Sequence, residues 1–210
     1  MKLKRKSVSL IATVIAVTAL PVNMYVYAED ETITSGDYVY SVNEDGTVCI
    51  EQYCGTKTEL DIPETIDEKN VTSLGEKAFS DNKSVNVVRL GASISEINEM
   101  AFLNSVALKE IKVSDDNKSF DDVDGVLYSE GVKQLLVYPQ GRQEPSFVIP
   151  DTVETIGISA IYDTLLEEIT FPSSLSAIER HGVSYNTRLK EVDILNTSVD
   201  ELGDFAFAYC

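Results

Sequence analysis

The side chains that could do chemistry in this chain are few in kind. There is one histidine, His181, set in Glu179-Arg180-His181-Gly182. Nucleophilic catalysis needs a base beside a nucleophile, and no G-x-S-x-G elbow accompanies it, so His181 reads as an exposed turn residue. Carboxylates are abundant, with 35 Asp+Glu, so acid pairs arise by chance and acid–base work would need a cleft to organise them. Asp115-Asp116-Asn117 and Asp121-Asp122-Val123-Asp124-Gly125 concentrate oxygen atoms that suit calcium. The EF-hand spacing fails, because Gly125 at the invariant glycine puts Phe120 at the first ligand and Gly131 at the twelfth. That leaves an irregular site or, by default, a solvated acidic loop. Cys49 and Cys54 enclose four residues and could close a small disulfide loop in an oxidising compartment; the competing reading is two half-buried small side chains near a strand. Two thiols with His181 far away make no zinc ligand set. We expect no catalytic residue, no metal and no cofactor.

Charge narrows the partners. The 210 residues carry 17 Lys+Arg against 35 Asp+Glu, a net −18. Four of the basic residues (Lys2, Lys4, Arg5, Lys6) fall in residues 1–28, so residues 29–210 hold 13 against 35, or −22. Such a surface repels phosphate backbones and anionic lipid, and no basic patch is present, so nucleic acid is disfavoured. Residues 1–28 have the form of a signal peptide: a charged start, an apolar run from Val8 to Leu20, Pro21, then Val26-Tyr27-Ala28 before Glu29-Asp30. The apolar run is shorter than the ~20 residues that span a bilayer, so cleavage after Ala28 is expected. No membrane insertion is expected after that, and the location is secreted or cell surface.

The elements that would position any site come from a repeat. Ala78-Phe79 recurs as Ala101-Phe102, as the altered pairs Ala160-Ile161 and Gly182-Val183, and as Ala206-Phe207, at separations of 23, 59, 22 and 24 residues. The 59 resolves into a 23-residue unit and a 36-residue unit with an insertion. Four positions before each pair stands an aliphatic residue: Leu74, Ile97, Ile156, Ile178 and Leu202. An apolar h-x-x-h-x-h pattern recurs as Val85-Val88-Leu90, Leu108-Ile111-Val113, Leu166-Ile169-Phe171 and Leu189-Val192-Ile194. Alternation over its last three positions marks a short strand with one buried face, and the period lets each strand pair in parallel with that of the next coil. Pro63, Pro150 and Pro172 stop the pairing at strand ends. Three residues after each pair stand Asn82, Ser105, Thr164, Asn186 and Cys210. These are expected to form a column that satisfies backbone groups in the curved wall.

Two segments read as hairpins. Tyr38–Val42 and Thr47–Ile50 around Asn43-Glu44-Asp45-Gly46 would cap the first coil. Gly125–Tyr128 and Gln134–Tyr138 around Ser129-Glu130-Gly131 would project from the stack or widen one coil. Cys210 falls inside a repeat with no polar cap, from which a longer parent chain or self-association of that end is expected.

The unit, as in LKEIKV, IPDTVETIG and FPSSLSAIE followed by an Ala-Phe-type pair, resembles the leucine-rich repeat of bacterial BspA-like surface proteins, over roughly residues 40–210. The resemblance implies a leucine-rich-repeat solenoid with short parallel β-strands stacked on one face and turns and short helical segments on the other. It divides the chain into a signal peptide (1–28), an N-terminal β cap (29–59) and about six repeats (60–210), the last incomplete, with a hairpin insertion at about 115–145. It also implies adhesion or protein binding on an exported chain. The candidate binding face is the outward side of the strands, Glu59, Asp61, Arg89, Glu110, Lys112, Glu168, Thr170, Glu191 and Asp193. If the strands stack in register, these form two adjacent columns, the first mostly acidic. The partner would be an extracellular protein or glycan. The second reading is a structural or targeting segment of a longer secreted enzyme.

Overall fold

The computed structural model describes residues 31–210, so the leader and its cleavage point lie outside the described residues. The first half opens with an antiparallel meander, β1 (Ile33–Ser35), β2 (Tyr38–Val42) and β3 (Val48–Tyr53). After β4 (Glu59–Asp61), a tight hairpin joins β5 (Thr65–Ile66) to β6 (Lys69–Leu74), and β7 (Val87–Leu90), β8 (Glu96–Ile97) and β9 (Glu110–Val113) follow. A second meander, β10 (Phe120–Val123), β11 (Val126–Ser129) and β12 (Gln134–Val137), opens the second half. It leads into β13 (Ser146–Val148), β14 (Thr155–Ile156), β15 (Glu168–Thr170), β16 (Ala177–Ile178) and β17 (Glu201–Leu202).

The strands form two kinds of parallel ladder. One holds the h-x-x-h-x-h strands, with β4–β7–β9 in one sheet and β13–β15 in another. The other holds the aliphatic positions four before each pair: β3–β6–β8 aligns Ile50, Leu74 and Ile97, and β12–β14–β16–β17 aligns Leu135, Ile156, Ile178 and Leu202. Each meander therefore ends in the first strand of a ladder. The second hairpin does not project from the stack; it starts the stack anew. The core divides at the same place, into one cluster from Tyr40 to Phe120 and Leu127 and another from Val126 to Ala206. No coil can bury its apolar side alone, so burial comes from stacking.

The wall opposite the ladders is made of turns. Short helical segments were expected there, but one 3-10 turn, Glu130–Val132, is the helical element among the described residues. The reason is a left-handed residue two positions after every pair: Asp81, Asn104, Asp163, Tyr185 and Tyr209, at φ from 49° to 62°. Such a residue ends a right-handed helical turn. Aspartate and asparagine adopt this conformation most readily among non-glycine residues, which accounts for three of the five. A hydrogen-bond spine runs along this wall from coil to coil, from Tyr53 N to Ala78 O (2.9 Å), Phe79 N to Ala101 O (2.8 Å), Ile161 N to Gly182 O (2.9 Å) and Val183 N to Ala206 O (2.8 Å).

The polar column works as its register suggests. The Ser105 hydroxyl donates to Phe79 O (2.6 Å), the Asn186 amide to Ile161 O (2.8 Å) and the Cys210 thiol to Val183 O (3.0 Å). In each case the acceptor is the second member of the preceding pair. Thr164 instead joins its neighbour, its N–H and hydroxyl both donating to Asn186 Oδ1 (2.9 and 2.6 Å). Leaving such buried groups unpaired would cost about 1–3 kcal/mol each.

Candidate functional site

Outward and inward side chains alternate along the h-x-x-h-x-h strands. Leu60, Val88 and Ile111 point into the core, while Glu59, Val87 and Glu110 align on one outer column and Asp61, Arg89 and Lys112 on the next. On β13–β15, Ser146 faces Glu168 and Val148 faces Thr170 in the same manner. Seven of the nine predicted face residues therefore stand on outward strand positions. Glu191 and Asp193 do not: they are exposed but lie in no strand. Lys190 N still donates to Glu167 O (3.0 Å), after which the chain leaves the ladder. The Asp193 carboxylate accepts from Leu195 N (3.0 Å) and Thr197 Oγ1 donates to Ile194 O (2.7 Å), and local side-chain bonds of this kind compete with strand pairing.

A further expectation is corrected. The columns are not continuous, because the second meander lies between β9 and β13 and the two sheets do not pair. The first column carries Glu59 and Glu110, and the second column supplies the cations that pair with them. Arg89 sits between Glu59 (2.7 Å) and Asp61 (3.7 Å), and Lys112 meets Glu110 (3.2 Å). The hydrogen bond and charge of Arg89 hold the Glu59 carboxyl below its ordinary range. The Lys190–Glu167 pair (2.6 Å) does the same to Glu167. The face is a cross-strand mosaic of both signs.

Where the ladder breaks, the face carries a notch of about 310 Å3 lined by Lys109, Glu110, Asp124, Arg142, Gln143 and Glu144. It forms because the Asp124-Gly125 turn wedges against Glu110, where a Cβ on Gly125 would come within 2.6 Å of Glu110 Cγ. Just before it, Gly141 N donates to Leu108 O (2.7 Å), so the backbones touch and then diverge. Arg142, with its side chain 11% exposed, bridges the notch to Asp124 (3.2 Å) and Glu144 (3.4 Å) and lies 5.4 Å from the Tyr138 ring centroid. Sequence reasoning missed this notch, since it depends on how two non-adjacent coils separate.

The other chemistry-bearing residues are engaged in structure. His181 stacks on Phe205 (centroids 5.2 Å, 9° between planes) in a left-handed turn, and Ser184 Oγ donates to its carbonyl rather than its ring. The acidic loop does not converge. Asp122 accepts from Val113 N, Asp121 from Gly131 N, Asp124 pairs with Arg142, and Asn117 donates to Gly91 O and Ile94 O. Among the described residues no group of three or more His, Cys, Asp or Glu side chains could hold a metal ion. None forms a helix long and apolar enough to cross a membrane.

Of the two readings of Cys49 and Cys54 the disulfide is not formed: all three cysteines are free. Cys49 lies in β3 and Cys54 just beyond its end, so five extended residues at about 3.3 Å each separate them by roughly 16 Å. A disulfide spans less than about 7 Å between Cα atoms. Cys49 faces Ser41 and Ser73 on the flanking strands, and burial pushes its thiol up to about 11. Relative to an ordinary thiol its reactive thiolate is about 100-fold scarcer. Iodoacetamide at pH 8 is therefore expected to label exposed Cys54 well before Cys49, read by peptide mass spectrometry. Equal rates would place Cys49 elsewhere.

Comparisons with known proteins agree with this geometry. A family model described as the BspA type leucine rich repeat region matches residues 24–123 and 141–210 in six copies, leaving out most of the second meander. A crystal structure of a leucine rich cell surface protein from Faecalibacterium prausnitzii A2-165 superposes with a TM-score of 0.55 at 21% identity, over 86% of this chain and 52% of that one. A leucine-rich repeat protein from Bacteroides ovatus gives a TM-score of 0.47 at 22% identity, over 83% of this chain and 56% of that one. The chain thus spans about half the length of these two structures. No curated protein matches it. The repeat register, the stacked ladders and the six matched copies lead to one assignment: this chain belongs to the BspA-type leucine-rich-repeat family.

Proposed function

We propose that the chain is a non-enzymatic recognition module of an exported, surface-displayed protein, and that it binds an extracellular protein through the outward face of its strand ladders. The observation that carries this reading is the mosaic of Glu59, Asp61, Arg89, Glu110 and Lys112 at fixed strand spacing, continuing on Glu168 and Thr170 beyond the notch. Exposed ion pairs of this kind contribute about 0–1 kcal/mol to folding, so these residues are not what holds the solenoid together. A face that is dispensable for stability and fixed in geometry suits recognition. The net charge of −18 favours a basic partner, drawn in by long-range attraction. The cell-surface description of the Faecalibacterium protein supports the location.

The test is binding of the purified protein to a panel of extracellular matrix proteins and glycans at low and high salt. A captured partner should bind at least tenfold more weakly at 0.5 M than at 0.05 M salt, since the Debye length falls from about 14 Å to about 4 Å. The double variant Glu59→Lys with Glu168→Lys should lose at least tenfold in affinity while its melting temperature stays within about 2 °C of the parent. Undiminished affinity in that variant would move the contact off this face. Hydrolysis of glycan or peptide by the protein, abolished by His181→Ala, would replace the reading with an enzymatic one.

A further inference from the structure

The break in the ladder leaves one strand half-paired. Glu168 N donates to Pro145 O (3.1 Å) and Ile149 N donates to Thr170 O (3.1 Å). In a parallel ladder the residues that bond to one neighbour alternate along the strand. Phe147 therefore also faces β15, and the N–H and C=O groups of Ser146 and Val148 point the other way, toward β9. Among the described residues none of these four groups has a hydrogen-bond partner. The opposite lip of the gap is closed: Ile111 N on β9 donates to Gly125 O (2.9 Å), and Val113 N donates to Asp122 Oδ1 (2.7 Å). The second meander plugs the β9 edge and leaves the β13 edge open.

Side chains at the open edge point to the kind of occupant. Val148 is 69% exposed, the most exposed large apolar side chain on any described strand. Glu110, Asp124 and Glu144 line the notch at the start of β13 against Lys109 and Arg142, an excess of one negative charge on a chain of net −18, with Arg142 shared between Asp124 and Glu144 and Glu110 paired to Lys112 on its outer side. Unpaired edges invite strand addition, and native proteins usually blunt them with charge, proline or cover. Here the strand is three residues long and bounded by Pro145 and Pro150, but between them its outward positions carry serine and valine with no charge and no cover. A second copy of this chain is opposed by its own net charge of −18.

We propose that the free edge of β13 receives an extended, cationic segment of a partner protein, which adds as a strand beside Ser146–Val148. Its backbone would take up the four unpaired groups, an aliphatic side chain would cover Val148, and lysine or arginine at alternate positions would meet the notch carboxylates. Main-chain bonds supply affinity in this mode and alternate side chains supply selectivity. The inference rests on the reading of the chain as a protein-interaction module, but it concerns an edge rather than the charged face.

Amide hydrogen exchange followed by NMR tests it. In the free protein the Ser146 and Val148 amides should exchange at least 100-fold faster than those of Ile149 and Glu168, which lie in the ladder. A ten-residue peptide alternating lysine and valine, at saturation, should slow Ser146 and Val148 by at least tenfold. The same peptide N-methylated at alternate residues, and the glutamate–valine analogue, should not. Val148→Pro removes an edge donor and no ladder bond, so it should abolish capture while Glu168 stays protected. Protection of Ser146 and Val148 in the free protein, no protection by the lysine–valine peptide, or equal binding by its N-methylated form would each overturn the proposal, and the last two need no protein variant. Glu59→Lys, which lies on the sheet across the break, should spare peptide capture. If the double variant Glu59→Lys with Glu168→Lys keeps its extracellular partner, the charged-face reading fails while the edge proposal stands.

Discussion

Asn186→Ala is expected to destabilise the C-terminal coils by about 3–5 kcal/mol. Asn186 is fully buried and closes three hydrogen bonds at once, accepting from Thr164 N and Oγ1 and donating to Ile161 O. Alanine removes all three and strands a backbone N–H and a carbonyl in a dry wall, at about 1–3 kcal/mol for each unpaired group. Water cannot readily substitute, because Ile161, Val183 and Leu166, buried in the same core, surround the column. Guanidinium unfolding of parent and variant should show the loss as a shift in midpoint. Thr164→Val, which keeps its backbone bond to Asn186 but leaves Leu166 N without its 3.3 Å acceptor, should lose about 1–2 kcal/mol. A similar loss in both variants would mean that the hydroxyl, not the amide, anchors the column.

Phe79→Ala is the largest apolar lesion. Phe79 is 2% exposed and lies between Tyr53 (5.9 Å between centroids) and Phe102 (5.2 Å, planes within 4°). Tyr38 extends the same column against Tyr53 at 5.4 Å. Truncation of a buried phenylalanine costs about 3–5 kcal/mol, and the lost stacking belongs to the upper part of that range. The damage should stay local. The first core runs from Tyr40 to Leu127 and the second from Val126 to Ala206, and stability in a stacked array is a sum of neighbour contacts. Melting of Phe79→Ala, followed by circular dichroism with hydrogen exchange, is expected to split into two steps, the amides of Ile156 and Ile178 remaining protected after the first. A single step that exposes both halves together would show the two cores to be one cooperative unit.

Much of the solenoid can be read from the residues because stacking repeats the same demand at each turn. The Ala-Phe pair and the polar residue three beyond it mark one position in the wall, and Ser105, Asn186 and Cys210 make there the same bond to the preceding coil. The second ladder is harder to read. Its strands at Glu96–Ile97, Thr155–Ile156 and Ala177–Ile178 have two residues each, too short for alternation, although the aliphatic register at Ile97, Ile156 and Ile178 marks their place. The binding face is legible as positions and not as a surface. Which carboxylates stay free depends on Arg89 reaching across to β4 and on Lys112 folding back along β9, and the notch depends on where the Asp124-Gly125 turn comes to rest. The run Leu189-Val192-Ile194 has the strand pattern but no strand, because Asp193 and Thr197 offer its backbone closer partners.

The repeated meander has a consequence for how such a chain can change in length. A ladder that must grow from a single founding strand transmits every insertion or loss of a coil to all the coils after it. Here β3 and β12 each found a ladder of their own, so coils gained or lost in one half leave the register of the other untouched. Lineages could therefore lengthen either half by duplication without renegotiating the whole.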